Sequence, residues 1–286
     1  MYTLISLDGQ FISSEAPAIS PLDRGFTLGD GVFETLKVTD GSAWYLDRHL
    51  HRLAHGADRL RITLPLELRE WIAAVVQHAC TENKRTHALR VIVTRGIAQT
   101  PGLMGDTTGR PTVAILATDM PDIAPVIYEH GVSAQVASSR RSIHSATAGL
   151  KTTNYLESIL MLHEAHEAGY DDAIALDTRG FVAEASASNV FLWIDDVLVT
   201  PPCTCGILPG ITRAVILELA AQDGIPSAER EVTLDDLAQA KEAFLTSSLR
   251  GIVPLVQVGQ ITIGTGVPGS HTRLLMARYG AMSSRV

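Results

Sequence analysis

Cysteine, positive charge and long apolar runs are all scarce in this 286-residue sequence. Its three cysteines are an odd number, so no disulfide framework is predicted and reduced thiols are expected. The 23 basic residues stand against 31 acidic ones, and the net charge of -8 argues against a nucleic-acid-binding surface. No apolar run has the length of a membrane span, and the N-terminus lacks the pattern of a signal peptide. A cytoplasmic protein without a membrane partner is therefore expected.

The order of predicted elements indicates two domains. Hydrophobic residues make up 46% of the chain, which is enough for a large core. Strands and helices mix over residues 1–119, and this pattern predicts a small N-terminal α/β domain. Two prolines interrupt residues 120–126, which are predicted to form an interdomain linker. Residues 127–286 are richer in strands and are predicted to form a larger domain, so the fold class is α+β.

Local patterns predict the elements that carry the candidate residues. Residues 31–38 alternate as a strand, with Phe33 and Lys37 on one face and Glu34 on the other. Asp47 is predicted to cap a helix that runs to about residue 60. Further helices are predicted over 155–168 and 211–223.

One of the four lysines stands out from the others. Lys84 and Lys241 lie in polar clusters that are typical of solvated surface. Lys151 instead follows a small, uncharged run and precedes the helix at 155–168. A lysine held out of water loses its proton more readily, and the neutral amine attacks carbonyl groups. Lys151 is therefore a Schiff-base candidate, with an ordinary surface charge as the alternative.

A lone carboxylate is the second candidate. Glu184 lies between two apolar strands and is flanked by small residues, which suggests that something large packs against it. The functional interpretation is an acid that keeps the ring nitrogen of a ligand protonated. The alternative is a solvated carboxylate at the end of a strand.

Several residues could bind an anion such as phosphate. The N-terminus of the helix at 211–223 offers backbone amides and the Thr212 hydroxyl. Arg52 could bind phosphate through its forked guanidinium group. Ser247 and Ser248 end a strand and add hydroxyls and amides. Ordinary capping and an exposed helix arginine are the alternatives.

No metal site is predicted. His51 and His55 have the spacing of two zinc ligands, but no third ligand is apparent. Cys203 and Cys205 are too closely spaced for a zinc knuckle and are interpreted as loop thiols.

A reactive lysine, an acid for a ring nitrogen and a phosphate site together fit pyridoxal phosphate. The chain resembles the class IV, fold type IV pyridoxal-phosphate aminotransferases, a group that includes branched-chain and D-amino-acid aminotransferases, (R)-amine transaminases and aminodeoxychorismate lyase. The resemblance runs from about residue 20 to residue 260. It rests on these motifs: Asp23-Arg-Gly-Phe, Gly29-Asp-Gly-Val-Phe-Glu34, His49-Leu-His-Arg-Leu53, Lys151-Thr-Thr-Asn-Tyr155, Gly169-Tyr-Asp-Asp172, Val182-Ala-Glu184, Leu208-Pro-Gly-Ile-Thr-Arg213 and Thr246-Ser-Ser.

The resemblance implies a fold, a quaternary structure and a set of site residues. It implies a larger C-terminal domain that is β-barrel-like and binds the cofactor, and it implies a homodimer. Lys151 matches the Schiff-base lysine, Glu184 the partner of the pyridine nitrogen, and Tyr155 a residue that supports the cofactor. The implied phosphate and ring contacts are Arg52, Leu208, Ile211, Thr212, Ser247 and Ser248.

The resemblance implies transamination between an amino acid or primary amine and a 2-oxo acid, by a ping-pong mechanism. The alternatives are elimination of pyruvate from aminodeoxychorismate on the same cofactor and a non-catalytic pyridoxal-phosphate carrier. The segment Phe33-Glu-Thr-Leu-Lys37 differs from the Phe-Glu-Gly-Ile-Arg usual in branched-chain enzymes. The segment after Thr94-Arg-Gly96, in the loop at 96–110, lacks the Arg-x-His clamp of some D-amino-acid enzymes. Residues 96–103 of the same loop lack the Arg-Gly pair common in the lyases.

The substrate carboxylate therefore needs a partner outside that loop, because a carboxylate in an apolar pocket requires a charged or donor-rich contact. The candidates, with Phe33 as a further pocket residue, are Arg24, Lys37, Arg95 and Arg250. Weak binding of the carboxylate would let simple amines compete as donors.

Overall fold

The computed structural model describes residues 3–15, 19–82, 86–100, 102–103, 109–120 and 123–282. The backbone contacts divide the chain into two compact units. The first unit comprises residues 1–121 and 150–154, and the second comprises residues 122–149 and 155–285. The short return of residues 150–154 to the first unit is not part of the predicted domain boundaries. Residues 121 and 122 of the predicted linker lie outside the described residues.

The first unit is a six-stranded antiparallel sheet with helices, in the strand order β2-β1-β6-β5-β3-β4. Its strands are β1 (Thr3–Leu7), β2 (Gln10–Ile12), β3 (Gly31–Thr39), β4 (Ser42–Ala43), β5 (His87–Thr94) and β6 (Thr112–Asp119). Its helices are α1 (Arg24–Leu28), α2 (Leu46–Arg59) and α3 (Leu68–Glu82).

The alternation predicted for β3 is confirmed. Val32, Leu36 and Val38 lie in the core, where α2 packs against the same strand. Lys37 on the opposite face is half-buried. The predicted cap of α2 is wrong, because the helix begins at Leu46 and Asp47 lies in its first turn. In that position the negative charge of Asp47 still stabilises the helix, because it lies near the positive end of the helix dipole.

The segment that carries Lys151 is attached to β3 by backbone hydrogen bonds. The N–H of Phe33 donates to the carbonyl of Lys151 at 2.9 Å, and the N–H of Thr153 donates to the carbonyl of Gly31 at 2.9 Å. The Thr153 hydroxyl also donates to the carbonyl of Gly29 at 2.7 Å. These bonds fix the backbone of Lys151 beside Phe33 in the first unit.

The second unit is a nine-stranded mixed sheet with helices, in the order β12-β11-β10-β13-β14-β7-β8-β9, and β15 pairs with β14. Its strands are β7 (Val132–Arg141), β8 (Asp172–Asp177), β9 (Val182–Ala185), β10 (Asn189–Ile194), β11 (Val197–Thr200), β12 (Ser227–Glu229), β13 (Glu242–Ser247), β14 (Gly251–Val258) and β15 (Ile261–Thr262). Its helices are α4 (Val126–Glu129), α5 (Leu156–Glu167), α6 (Ile211–Gln222), α7 (Leu234–Gln239) and α8 (Ser270–Ala281), with a 3-10 turn at Cys203–Cys205.

The predicted helices over 155–168 and 211–223 are confirmed as α5 and α6 to within a residue or two at each end. Strand β9 was not predicted as a strand, although it carries Glu184. Its sequence, Val-Ala-Glu-Ala, is short and gives no clear alternation. Among the described residues, no helix is both long enough and apolar enough to cross a bilayer.

Candidate functional site

A buried ion-pair cluster lies under β3 in the first unit. Glu34 points to the core face of β3 and is 1% exposed. Arg52 of α2 grips it with two hydrogen bonds of 2.7 Å, from Nε to Oε1 and from Nη2 to Oε2. His49, one turn earlier on α2, contacts Oε2 through Nδ1 at 2.7 Å. A charged residue on an apolar strand face requires such partners, because an unpaired buried charge is very costly.

The contacts within this cluster shift the pKa values of Glu34 and His49. Burial alone would raise the pKa of Glu34, but the hydrogen bonds and charges of Arg52 and His49 outweigh it and hold that pKa at about 2. Burial lowers the pKa of His49 against the opposing effect of Glu34, and the charges of Arg52 and Lys151 lower it further. Because an ionised carboxylate only accepts hydrogen bonds, neutral His49 carries its proton on Nδ1. Phosphate binding by Arg52 stays a prediction.

Lys151 lies against an aromatic ring in the first unit. Its Nζ is 4.5 Å from the centroid of the Phe33 ring. The guanidinium carbon of Arg90, on β5, lies 4.1 Å from the same centroid. Lys37 also faces this side of β3, with Nζ 4.7 Å from the Trp44 ring, and burial lowers the pKa of Lys37. Three cationic side chains therefore flank one aromatic face of β3 and β5.

Arg24 and Arg95 have structural partners in the first unit. Both bind the carboxylate of Asp30, through Nε of Arg24 at 2.9 Å and Nε of Arg95 at 2.7 Å. Arg24 also donates to the carbonyls of Gly102 and Leu103, at 2.8 and 3.0 Å, and Arg95 donates to two further backbone carbonyls. Arg24 thereby anchors the loop at 96–110, of which residues 101 and 104–108 lie outside the described residues. Arg90, which was not predicted from the sequence, lies beside Phe33 on the side of the sheet that carries Lys151.

Glu184 is the centre of a second cluster, in the second unit. It is 9% exposed and lies on β9, and its Oε2 accepts the N–H of Leu208 at 3.0 Å. The Nε of Arg141, the last residue of β7, lies 3.5 Å from Oε1. Asn189 fixes the loop that carries Leu208, because its side-chain amide donates to the Leu208 carbonyl at 2.9 Å.

The start of α6, in the same unit, is the anion site predicted from the sequence. Gly210 caps the helix without a side-chain bond, and the first turn contains no acidic residue. Ile211 and Thr212 are buried there, at 8% and 3% exposure. Gly210 is required at this position, because an added Cβ would collide with the side-chain oxygen of Asn189. The first backbone N–H groups of a helix have no partner within the helix, so this end suits a phosphate.

The remaining predicted site residues also lie in the second unit. Tyr155 immediately precedes α5. Ser247 ends β13, and Ser248 begins the turn to β14. Helix α6 packs against β13. Arg250 donates to Ser188 at 3.1 Å and lies 3.3 Å from Asp172, so its guanidinium already has partners within the unit.

The donor set in each unit fits pyridoxal phosphate. The first unit contains a primary amine beside an aromatic ring, and the second unit contains a buried carboxylate and a helix N-terminus. Pyridoxal phosphate binds to groups of these kinds. No group of three or more potential metal ligands occurs in the part of the chain that the structure describes.

Four residues of these clusters were not predicted from the sequence: Arg90, Arg141, His49 and Asn189. Glu34 was also not identified as the partner of Arg52. The charge on the apolar face of β3 could have revealed the pair, together with the three-residue spacing of His49 and Arg52 on one helix face. The other residues leave no comparable signal in the sequence.

Comparisons with known proteins give matches over most of the chain. The sequence profile of the amino-transferase class IV family matches residues 31–258. A Methanocaldococcus jannaschii protein with the provisional name branched-chain-amino-acid aminotransferase is 36% identical, over 96% of this chain and 94% of its own. The D-alanine aminotransferase of Bacillus licheniformis is 30% identical, over 94% and 93% of the two chains. The crystal structure of 4-amino-4-deoxychorismate lyase from Pseudomonas aeruginosa is 31% identical, with a TM-score of 0.85 and 99% of each chain covered.

Proposed function

This chain belongs to the class IV aminotransferase family, and we propose that Lys151 and Glu184 are its principal catalytic residues. It is a pyridoxal-phosphate-dependent enzyme that transfers an amino group from an amino donor to a 2-oxo acid. The observation that carries the residue assignment is the position of Lys151. Its backbone is fixed to β3, and its amine lies against Phe33 among other cations. A primary amine held in a fixed position is the group that attacks the carbonyl carbon of the cofactor.

The proposed roles follow from the contacts of each residue. Pyridoxal phosphate supplies an aldehyde for the donor amine and a ring that accepts electrons from the substrate α-carbon. Lys151 would hold the cofactor through Nζ, and its amine would move the proton from the substrate α-carbon. Glu184 holds the ring nitrogen protonated. The phosphate is bound by Thr212, by the backbone amide of Ile211, and by Ser247, Ser248 and Arg52. Leu208 packs on the cofactor ring, and Tyr155 supports the cofactor.

Borohydride reduction of the cofactor-loaded enzyme, followed by peptide mapping, tests the assignment of Lys151. The label is expected on Lys151, and Lys151→Ala is expected to lose turnover completely. Labelling of Lys37, Lys84 or Lys241 would refute the assignment. Lys241→Ala is the matched control, because Lys241 is an exposed surface lysine that pairs with Asp196.

The same preparation distinguishes the reaction types. An aminotransferase converts its cofactor to the amine form on mixing with an amino donor alone. A lyase releases pyruvate from aminodeoxychorismate without an acceptor, and a carrier does neither. Pyruvate release at a rate above that of transamination would favour the lyase.

Arg90 and Lys37 are proposed to bind the substrate carboxylate. Both lie on the side of β3 and β5 that faces Lys151 and Phe33. Arg90→Ala is expected to raise KM for the preferred D- or L-amino acid about tenfold or more, as loss of a charge-assisted bond does. It should leave KM for 1-phenylethylamine unchanged, because that donor has no carboxylate. Equal changes for both donors would contradict this role.

A homodimer is proposed from the exposed apolar face of α5. Leu156, Ile159 and Leu160 are 72%, 45% and 66% exposed, and their spacing places them on one side of the helix. Contiguous exposed apolar surface marks association sites. Leu160→Glu should weaken a dimer measured by analytical ultracentrifugation, whereas Leu274→Glu, at the exposed Leu274 of α8, should not. A fully active monomer at micromolar concentration would contradict the proposal.

A further inference from the structure

Arg141 is held in place by the first turn of a helix. Its Nη1 donates to Glu157 at 2.6 Å, and its Nη2 donates to the Ser158 hydroxyl at 3.0 Å. Both partners lie at the start of α5, directly after the Lys151 segment. Two anchored nitrogens fix the plane of the guanidinium group, so its third edge can point in only one direction.

That third edge points at Glu184. The Nε of Arg141 lies 3.5 Å from Oε1 of Glu184, and this Nε is buried without a hydrogen-bond partner. The distance exceeds the usual 2.7–2.9 Å of a charge-assisted hydrogen bond. A buried, unsatisfied donor is costly, and its retention calls for an explanation. Here Arg141 acts on the carboxylate through its charge without completing the bond.

We infer that Arg141 is a positioning residue that keeps Glu184 ionised and oriented, so that Glu184 can hold the cofactor's ring nitrogen protonated. A cation close to a carboxylate favours its charged form, and a carboxylate that stays charged leaves the proton on the ring. The inference rests on the proposed role of Glu184. Strands β7 and β9 and helix α5, all within the second unit, supply the residues that it needs.

The test compares binding of pyridoxal phosphate with binding of its 1-deaza analogue, in which CH replaces the ring nitrogen. Dissociation constants are measured by equilibrium dialysis for wild type, Arg141→Gln, Arg141→Lys and Glu184→Gln. Arg141→Gln should weaken binding of pyridoxal phosphate about tenfold and leave binding of the analogue within about twofold. Arg141→Lys should bind pyridoxal phosphate almost as tightly as wild type, because lysine keeps the positive charge.

Two further variants separate this role from a general structural one. Arg140→Gln makes the same charge change on the adjacent, exposed residue, whose Nη1 bonds only to nearby carbonyls. It should behave as wild type. In a double variant with Glu184→Gln, the Arg141→Gln change should add little, because the two residues act as one unit.

The outcomes separate the role of Arg141 from that of Glu184. If Glu184→Gln weakens the two ligands equally, the role proposed for Glu184 is wrong, and the role of Arg141 falls with it. A second outcome is that Glu184→Gln weakens binding of pyridoxal phosphate more than binding of the analogue, whereas Arg141→Gln weakens binding of both ligands equally or of neither. In that case only the inference on Arg141 is wrong. The inference is supported if each single variant weakens binding of pyridoxal phosphate more than binding of the analogue, and if the double variant binds pyridoxal phosphate no more weakly than Glu184→Gln alone.

Discussion

Glu34 in the first unit and Glu184 in the second are both buried carboxylates, but their surroundings hold the charge differently. Glu34 receives three contacts of 2.7 Å from Arg52 and His49. Glu184 is approached at 3.0 Å by the N–H of Leu208 and at 3.5 Å by Arg141. The short contacts of Glu34 are those of a buried ion pair, whereas Glu184 is the residue proposed to serve the ring nitrogen of the cofactor.

The difference separates a structural role from a functional one. Breaking a buried ion pair leaves an uncompensated charge in the interior, which destabilises the fold. A carboxylate that serves a ligand contributes mainly when the ligand's charge develops, so its loss appears in the rate. Glu34→Gln should therefore lower stability more than Glu184→Gln does, and Glu184→Gln should lower kcat more, although Glu34→Gln also affects activity through Arg52 if Arg52 binds the phosphate.

The largest effect is expected for Glu34→Gln on stability. The change leaves the buried Arg52 charge without its carboxylate, and the loss in the free energy of unfolding should be about 3–5 kcal/mol. Urea unfolding of the cofactor-free protein measures it, since bound cofactor would add its own stabilisation. A loss below 1 kcal/mol would show that the cluster is not a structural ion pair.

The pH dependence provides the control for that result. The folded-state pKa of Glu34 is about 2 against an ordinary value of 4.5. A carboxylate with a lowered folded-state pKa stabilises the fold above its unfolded pKa, and this contribution is lost as the pH falls towards the folded value. The contribution, about 3 kcal/mol, should therefore be complete at pH 6 and decline below pH 4.5. The difference between wild type and Glu34→Gln should shrink over the same range, and a constant difference would contradict the assignment.

Glu184→Gln should lower kcat more than Glu34→Gln does. An amide cannot hold the ring nitrogen protonated, so kcat should fall about 100- to 1,000-fold, or about 3–4 kcal/mol in the barrier. The free energy of unfolding should change less than in Glu34→Gln, because Arg141 keeps its ion pair with Glu157 when the charge of Glu184 is removed. Steady-state kinetics and urea unfolding on the same preparations give both quantities. A near-wild-type kcat would show that Glu184 has another role.

The sequence predicts much of this contrast, but not all of it. The alternation of β3 places Glu34 among Val32 and Leu36, so its need for a buried partner can be deduced from the strand pattern alone. Glu184 is recognisable through its small neighbours and the family motifs. Its strand was missed, because four residues are too few to show a period.

Two features could not have been predicted, because they depend on long-range contacts. The Lys151 segment joins the first unit through backbone bonds to β3, a strand far upstream, and no local pattern marks such a return. Arg141 follows Arg140, and two adjacent arginines at the end of a strand indicate solvated surface. Only the folded chain places one of them against Glu184.

The smallest effect is expected at Asn189, which acts on Glu184 through the Leu208 loop. Its amide donates to the carbonyl of Leu208, whose N–H in turn holds Glu184. Asn189→Ala removes one buried hydrogen bond, so stability should fall by about 1 kcal/mol and kcat should fall several-fold. Thr200→Val is the matched control, because the Thr200 hydroxyl makes a comparable buried bond, of 2.7 Å, to the carbonyl of Val190. Both variants should lose similar stability, but only Asn189→Ala should lose kcat. Equal kcat in the two variants would mean that the position of the Leu208 N–H does not govern Glu184.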